Sequence, residues 1–131
     1  MATSIRPFLM FEGKAEEAMA FYAGLFPGSS VSEIRRFGPN DPGPEGSILV
    51  ATFTLAGQSI MCSDSFVPHA FSFTPSLSLF VDCESVDQID SLAGALAEGG
   101  AVLMPLDDYG FSRRFAWVTD RYGVSWQLNL A

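Results

Sequence analysis

The chain carries one histidine, His69, and that limits its chemistry. One copy cannot build a two-histidine, one-carboxylate iron site or a histidine-rich zinc site. A histidine side chain such as His69 suits a general base for a bound ligand. Between Pro68 and Ala70 it equally suits a linker surface. Cys62 would need a neighbouring base or cation to act as a nucleophile, and the histidine lies seven positions on. In a chain with twelve phenylalanines, Cys62 and Cys83 read as small buried hydrophobes rather than a disulfide framework. Glu12, Glu16 and Glu17 sit where a helix begins, where acids complement the helix dipole.

Three alternating segments place polar and aromatic side chains on common faces. Ser125, Gln127 and Asn129 alternate with Val124, Trp126, Leu128 and Leu130, so they point to one side of a strand. They either orient a polar ligand or form a solvated sheet face. An unpaired buried amide costs ~1–3 kcal/mol, so a buried Gln127 requires a partner. Ser76, Ser78 and Phe80 oppose Leu77, Leu79 and Val81, and two hydroxyls beside a ring suit a pocket wall. Phe115 and Trp117 share one face with Arg113 and make either an aromatic floor or core packing. Tyr109-Gly110-Phe111-Ser112 precedes that strand, and Gly110 allows a loop there to fold over a cleft.

The elements that must position these residues follow from periodicity. Residues 5–11 read as a strand, with Pro7 implying an edge or a strand end. Ala15, Ala18, Met19, Tyr22, Leu25 and Phe26 recur at helical spacing within 14–26, and Pro27-Gly28 stops the helix. Strands are expected at 30–37, 47–55 and 58–62, the last two joined by a tight Ala56-Gly57 hairpin. A second half follows, with a strand at 75–83, a helix at 85–98, and strands near 101–105, 113–119 and 123–130. Ser85 and Gln88 form a capping box at the second helix. The order β-α-β-β-β therefore occurs twice. We expect one α+β domain over residues 1–131, with halves at about 1–63 and 75–131, a connection at about 64–74, and a curved mixed sheet whose concave face holds a ligand.

Composition bounds the partners. The length of 131 residues is a common single-domain size. A formal charge of −8 argues against nucleic acid or an anionic membrane, which require clustered Lys and Arg. No leader of a basic then apolar kind and no run of eighteen apolar residues is present, so a cytoplasmic location is expected.

The stretch Phe11 to Tyr22 followed by Leu25-Phe26-Pro27, the segment Phe71-Ser72-Phe73-Thr74-Pro75, Gly99-Gly100 with Met104-Pro105-Leu106, and the closing run Trp117 to Leu128 together resemble a known family. It is the PhnB-like branch, labelled 3-demethylubiquinone-9 3-methyltransferase, of the vicinal oxygen chelate superfamily. That superfamily also holds glyoxalase I, extradiol dioxygenases, and fosfomycin and bleomycin resistance proteins. The resemblance implies a homodimer of paired βαβββ modules with a pocket on each concave sheet. In metal-using relatives the ligands come from four strand positions, which the resemblance places at Pro7, near Met61, at Ser76 and at Gln127. Proline has no donor atom, a thioether suits only soft ions, and serine and glutamine offer neutral oxygens. No metal or cofactor is therefore expected. The methyltransferase label finds no support, since no glycine-rich loop joins a strand to a helix. The expected function is metal-independent binding of a small apolar or aromatic molecule. Pro7, Leu9, Met61, Ser76, Ser78 and Phe80, with Phe115, Trp117 and Gln127, would line the face. The alternative is an enzyme of the same superfamily, metal-dependent or using acid–base groups such as His69.

Overall fold

The computed structural model of the protein describes residues 2–131. The elements run β1 (Phe8–Phe11), α1 (Ala15–Leu25), β2 (Ser30–Arg36), β3 (Ile48–Leu55), β4 (Gln58–Asp64), β5 (Ser78–Asp82), α2 (Val86–Ala97), β6 (Ala101–Asp107), β7 (Arg114–Thr119) and β8 (Ser125–Leu130). The chain divides into two compact units at His69/Ala70, inside the expected connection. Each unit repeats β-α-β-β-β and forms a four-stranded mixed sheet. The expected α+β class and the twofold element order are what the structure has.

In the first unit the strand order is β1-β4-β3-β2, with β1 parallel to β4 and the other pairs antiparallel. Helix α1 buries Ala15, Ala18, Met19 and Tyr22, and the Tyr22 ring lies 6.4 Å from that of Phe53 on β3. Lys14 supplies no side-chain cap to α1. The cap comes instead from the end of β4. The buried Asp64 accepts Ala15 N at 2.9 Å with Oδ1 and Ile48 N at 3.0 Å with Oδ2. One carboxylate thus ties the helix start to two strands. Ala56 (φ +48) and Gly57 (φ +87) close the β3–β4 hairpin with both central residues left-handed, the twist that matches paired strands.

In the second unit the order is β5-β8-β7-β6, with β5 parallel to β8. Helix α2 buries Ile89, Leu92, Ala93 and Leu96. Its capping box forms with a difference. Ser85 Oγ accepts Gln88 N at 3.1 Å, while Gln88 Oε1 reaches one residue further back, to Glu84 N at 2.6 Å. Asp120 staples the β7–β8 turn as Asp64 staples the first unit. Its Oδ1 accepts Tyr122 N and Val124 N at 2.8 and 3.1 Å, and its Oδ2 accepts Trp126 Nε1 at 2.9 Å.

Three strand starts differ from the periodicity by two residues or more, and that of β8 moves from residue 123 to Ser125. β1 begins at Phe8 rather than residue 5, although the Pro7 carbonyl still accepts Met61 N at 2.9 Å. β5 begins at Ser78 rather than residue 75, because residues 74–77 close a turn in which Leu77 N donates to Thr74 O. β6 runs two residues further than expected, to Asp107.

Candidate functional site

Register and burial identify the two faces of each sheet. In the second unit Trp126, Leu128 and Leu130 are buried and stand beside Val118, Ala116 and Arg114. Arg114 pairs with Asp90 of α2 at 2.7 Å, which marks this as the helix face. The opposite face, uncovered by α2, carries Ser78, Phe80 and Asp82 on β5, then Ser125, Gln127 and Asn129 on β8. Next to these lie Thr119, Trp117 and Phe115 on β7, with Met104 and Asp107 on β6. Five of the expected lining residues (Ser78, Phe80, Phe115, Trp117 and Gln127) therefore share one face.

A hydrogen-bonded chain organises the centre of that face. Trp117 Nε1 donates to Ser125 Oγ at 2.9 Å. Ser125 Oγ and Ser78 Oγ are 2.6 Å apart, and Ser78 Oγ reaches Pro75 O at 3.3 Å. Gln127 Nε2 donates to Ser78 Oγ at 3.3 Å, so the amide has the partner its half-buried position requires. Phe80, which is 56% exposed, stands beside Gln127 on β5, and Trp117 stands beside it on β7. Further along, Asn129 Nδ2 donates to Asp82 Oδ1 at 3.3 Å.

Phe115 also lies on this face, but it is buried. The segment before β7 covers it: the ring of Phe111 meets it edge-on at 5.0 Å and that of Tyr109 at 6.1 Å. Gly110, at φ +98, makes the reversal that brings both rings onto Phe115. The loop folds over this end of the sheet.

The remaining expected positions fall elsewhere. Ser76 lies in the turn before β5, exposed, with its Oγ 3.1 Å from Thr74 Oγ1. The alternation of Ser78 and Phe80 does not reach back to it, because β5 begins at Ser78. Met61 and Pro7 belong to the first unit. Met61 is half-buried and stands beside Phe8 on β1 and Thr52 on β3, on the side of that sheet away from α1. Leu9 points the other way. It is 6% exposed and stands beside Cys62, on the side where Phe53 meets α1, so it is a core residue. The face away from α1 carries Phe8 and Met10 instead. Alternation in a strand with apolar side chains on both faces does not reveal which set faces the helix.

The nucleophile and base candidates are placed plainly. Burial, and then the charge of Asp64, pushes the Cys62 thiol up to about 12, which makes it inert as a nucleophile. Cys83 is shifted upward too, again mainly by burial. His69 Nε2 lies 2.7 Å from Ser65 Oγ. The three glutamates do not converge: Glu16 binds Arg36 at 2.5 Å and Glu17 lies 3.9 Å from Lys14. No group of three or more His, Cys, Asp or Glu side chains among the described residues could hold a metal ion.

The family model for 3-demethylubiquinone-9 3-methyltransferase matches residues 3–129. The chain belongs to that family. This PhnB-like chain superposes on the PhnB protein of Bacillus cereus with a TM-score of 0.95 at 56% identity, covering 98% of this chain and 100% of that one. Protein YjdN of Escherichia coli is 25% identical over 139 residues, 96% of this chain and 94% of its relative. FosX, a fosfomycin resistance protein of Listeria monocytogenes, shares the fold at a TM-score of 0.67 and 13% identity, over 98% of this chain and 93% of that one. The PhnB-like chain thus has the vicinal oxygen chelate fold.

Two features of the PhnB-like site were missed from sequence. Asp82 and Asp107 join the uncovered face only because β5 and β6 are registered against β8 and β7. Ser125, 1% exposed, is the junction of the polar chain. Its alternation with Trp126 showed the face it occupies but not its three partners.

Proposed function

We propose that the protein is a metal-independent binder of a small apolar or aromatic molecule, using the face of the second sheet that α2 leaves uncovered. The observation that carries this is the chain from Trp117 through Ser125 and Ser78 to Gln127. It holds an indole and an amide in fixed positions on a face that also presents the Phe80 ring, an arrangement suited to orienting a ligand before it arrives. At the positions that the family resemblance assigns to metal ligands the chain has Pro7, a residue near Met61, Ser76 and Gln127, none of which brings a carboxylate or an imidazole. The reading includes a homodimer, following the family resemblance, and a cytoplasmic location.

Methyl transfer is not part of it. S-adenosylmethionine sites of the nucleotide-binding type use a glycine-rich strand-to-helix turn. Here β1 joins α1 through Glu12-Gly13-Lys14, and β5 joins α2 through Cys83-Glu84-Ser85. One observation favours the enzymatic alternative: the 2.7 Å contact of His69 with Ser65 is nucleophile-to-base geometry.

The test is an aromatic-fragment screen of chelator-treated protein by amide chemical-shift mapping, with product analysis on each hit. We expect unaltered ligands and shifts centred on Ser78, Phe80, Trp117 and Gln127. Binding only after a divalent ion is restored, or shifts confined to the helix face, would overturn the proposal. Turnover lost in His69→Ala would move the assignment to the enzyme.

A further inference from the structure

We infer that this face selects organic cations: aromatic or partly apolar molecules carrying a protonated amine. The inference rests on the ligand-binding reading above and adds the sign of the ligand's charge.

The first argument is a count of protons in the polar chain. Trp117 Nε1 can only donate, so it fixes Ser125 Oγ as an acceptor. The Ser125 hydroxyl then donates to Ser78 Oγ, 2.6 Å away, since its other contact, Pro75 O, is 3.5 Å distant. Ser78 donates in turn to Pro75 O at 3.3 Å. With both hydroxyl protons assigned, Ser78 Oγ can only accept from Gln127, which puts the NH2 group inward. The reverse amide orientation would take the Ser78 proton and leave Pro75 O without its bond. Gln127 Oε1 is therefore the outward atom, and it has no partner among the described residues. It is a fixed acceptor waiting for an N–H or O–H donor.

The second argument is what surrounds that acceptor. Phe80 and Trp117 stand on the strands either side of Gln127, about 10 Å apart at their backbones, twice the ~4.8 Å spacing of neighbouring strands. Rings on the two neighbouring strands lie within reach of a group seated over the amide, and aromatic rings attract cations. The third argument is charge. Asp82 and Asp107 lie on this face, and β5, β6 and β8 contain no Lys or Arg. The single cation in β7, Arg114, points to the helix side and pairs with Asp90. Arg113, just before β7, donates to Ala131 O at 2.9 Å. The aspartates alone would not define a site. An outward acceptor between two rings does, and Asp82 and Asp107 outnumber Arg113, the basic side chain at the end of β7. The net charge of −8 extends the same field outward.

Calorimetric titration of the full chain with 2-naphthylmethylamine, 2-naphthylmethanol and 2-naphthoate tests this, since the three share a ring and differ in charge. The amine should bind about tenfold tighter than the alcohol at low salt, an advantage that shrinks as salt is added, and the carboxylate should bind weakest. Gln127→Leu should weaken amine binding several-fold. Equal amine and alcohol affinities, or tighter binding of the carboxylate, overturn the charge inference and leave ligand binding standing. Unchanged amine binding by a folded Gln127→Leu overturns the outward-acceptor assignment. No binding of any of the three to the wild-type chain overturns both readings.

Discussion

Replacing Ser125 by alanine tests the organisation of the site directly. Among the described residues Ser125 Oγ is the one partner of the Trp117 indole N–H, at 2.9 Å, and it lies 2.6 Å from Ser78 Oγ. The substitution removes one atom from a position 1% exposed, so lost packing is small and the loss is polar. Ser78 keeps Gln127 and Pro75 as partners, whereas the half-buried Trp117 N–H is left without one. An unsatisfied buried donor costs ~1–3 kcal/mol. At about 4 °C per kcal/mol for a chain of this size, the Tm should fall by about 4–12 °C. Urea unfolding followed by circular dichroism and by fluorescence, with coincident transitions, gives the free energy. The double-mutant cycle with Trp117→Phe, which keeps a ring and removes the N–H, isolates the bond. Its coupling energy should be about 0.5–1.5 kcal/mol. A coupling within ~0.3 kcal/mol of zero would refute the view that this hydroxyl pins the indole, and with it the preorganised face.

Two further outcomes follow from backbone and thiol chemistry. Ala56 holds φ +48, a region that costs a non-glycine residue roughly 1–2 kcal/mol and that Asn tolerates better, so Ala56→Asn should raise stability by about 0.5–1 kcal/mol. A lower urea midpoint would contradict the turn assignment. Cys62 keeps its proton up to about 12 in the folded chain against an ordinary 9.0. Across that window the native state binds more protons than the unfolded one. Its stabilising contribution is complete below about pH 9 and is lost as pH rises toward about 12, at up to ~1.4 kcal/mol per unit. Cys62→Ala should flatten the alkaline limb of the stability profile, and an unchanged slope would count against the buried-thiol account.

The fold was legible because each element announces itself locally. The helical spacing of Ala15, Ala18, Met19 and Tyr22 became the buried stripe of α1, and the Ser85–Gln88 pair became the α2 cap. Alternation of Ser125, Gln127 and Asn129 with Trp126, Leu128 and Leu130 became the two faces of β8. What stayed hidden depends on distant pairing. Leu9 and Phe8 are both apolar, and only the register against Cys62 and Met61 says which one α1 covers. The Ser76 hydroxyl reads like that of Ser78 until the turn at 74–77 takes it out of the strand. Asp64 lay in a segment read as a connection, yet it ends β4 and caps α1 from 49 residues away, a relation no local pattern contains.

Those long-range bonds bear on function as well as on stability. Among the described residues the buried carboxylates are Asp64 and Asp120. A proton-transferring carboxylate of the usual kind is buried, shifted and aimed at a substrate. Here both are surrounded by N–H donors: two backbone amides at Asp64, and two amides plus an indole at Asp120. Those bonds give each carboxylate a structural duty, at a helix start for Asp64 and at a turn for Asp120. The thiols are buried and protonated. The polar groups left on the uncovered face of the second sheet are hydroxyls, amides and exposed carboxylates. Such groups suit the orientation of a bound ligand, the role proposed for that face.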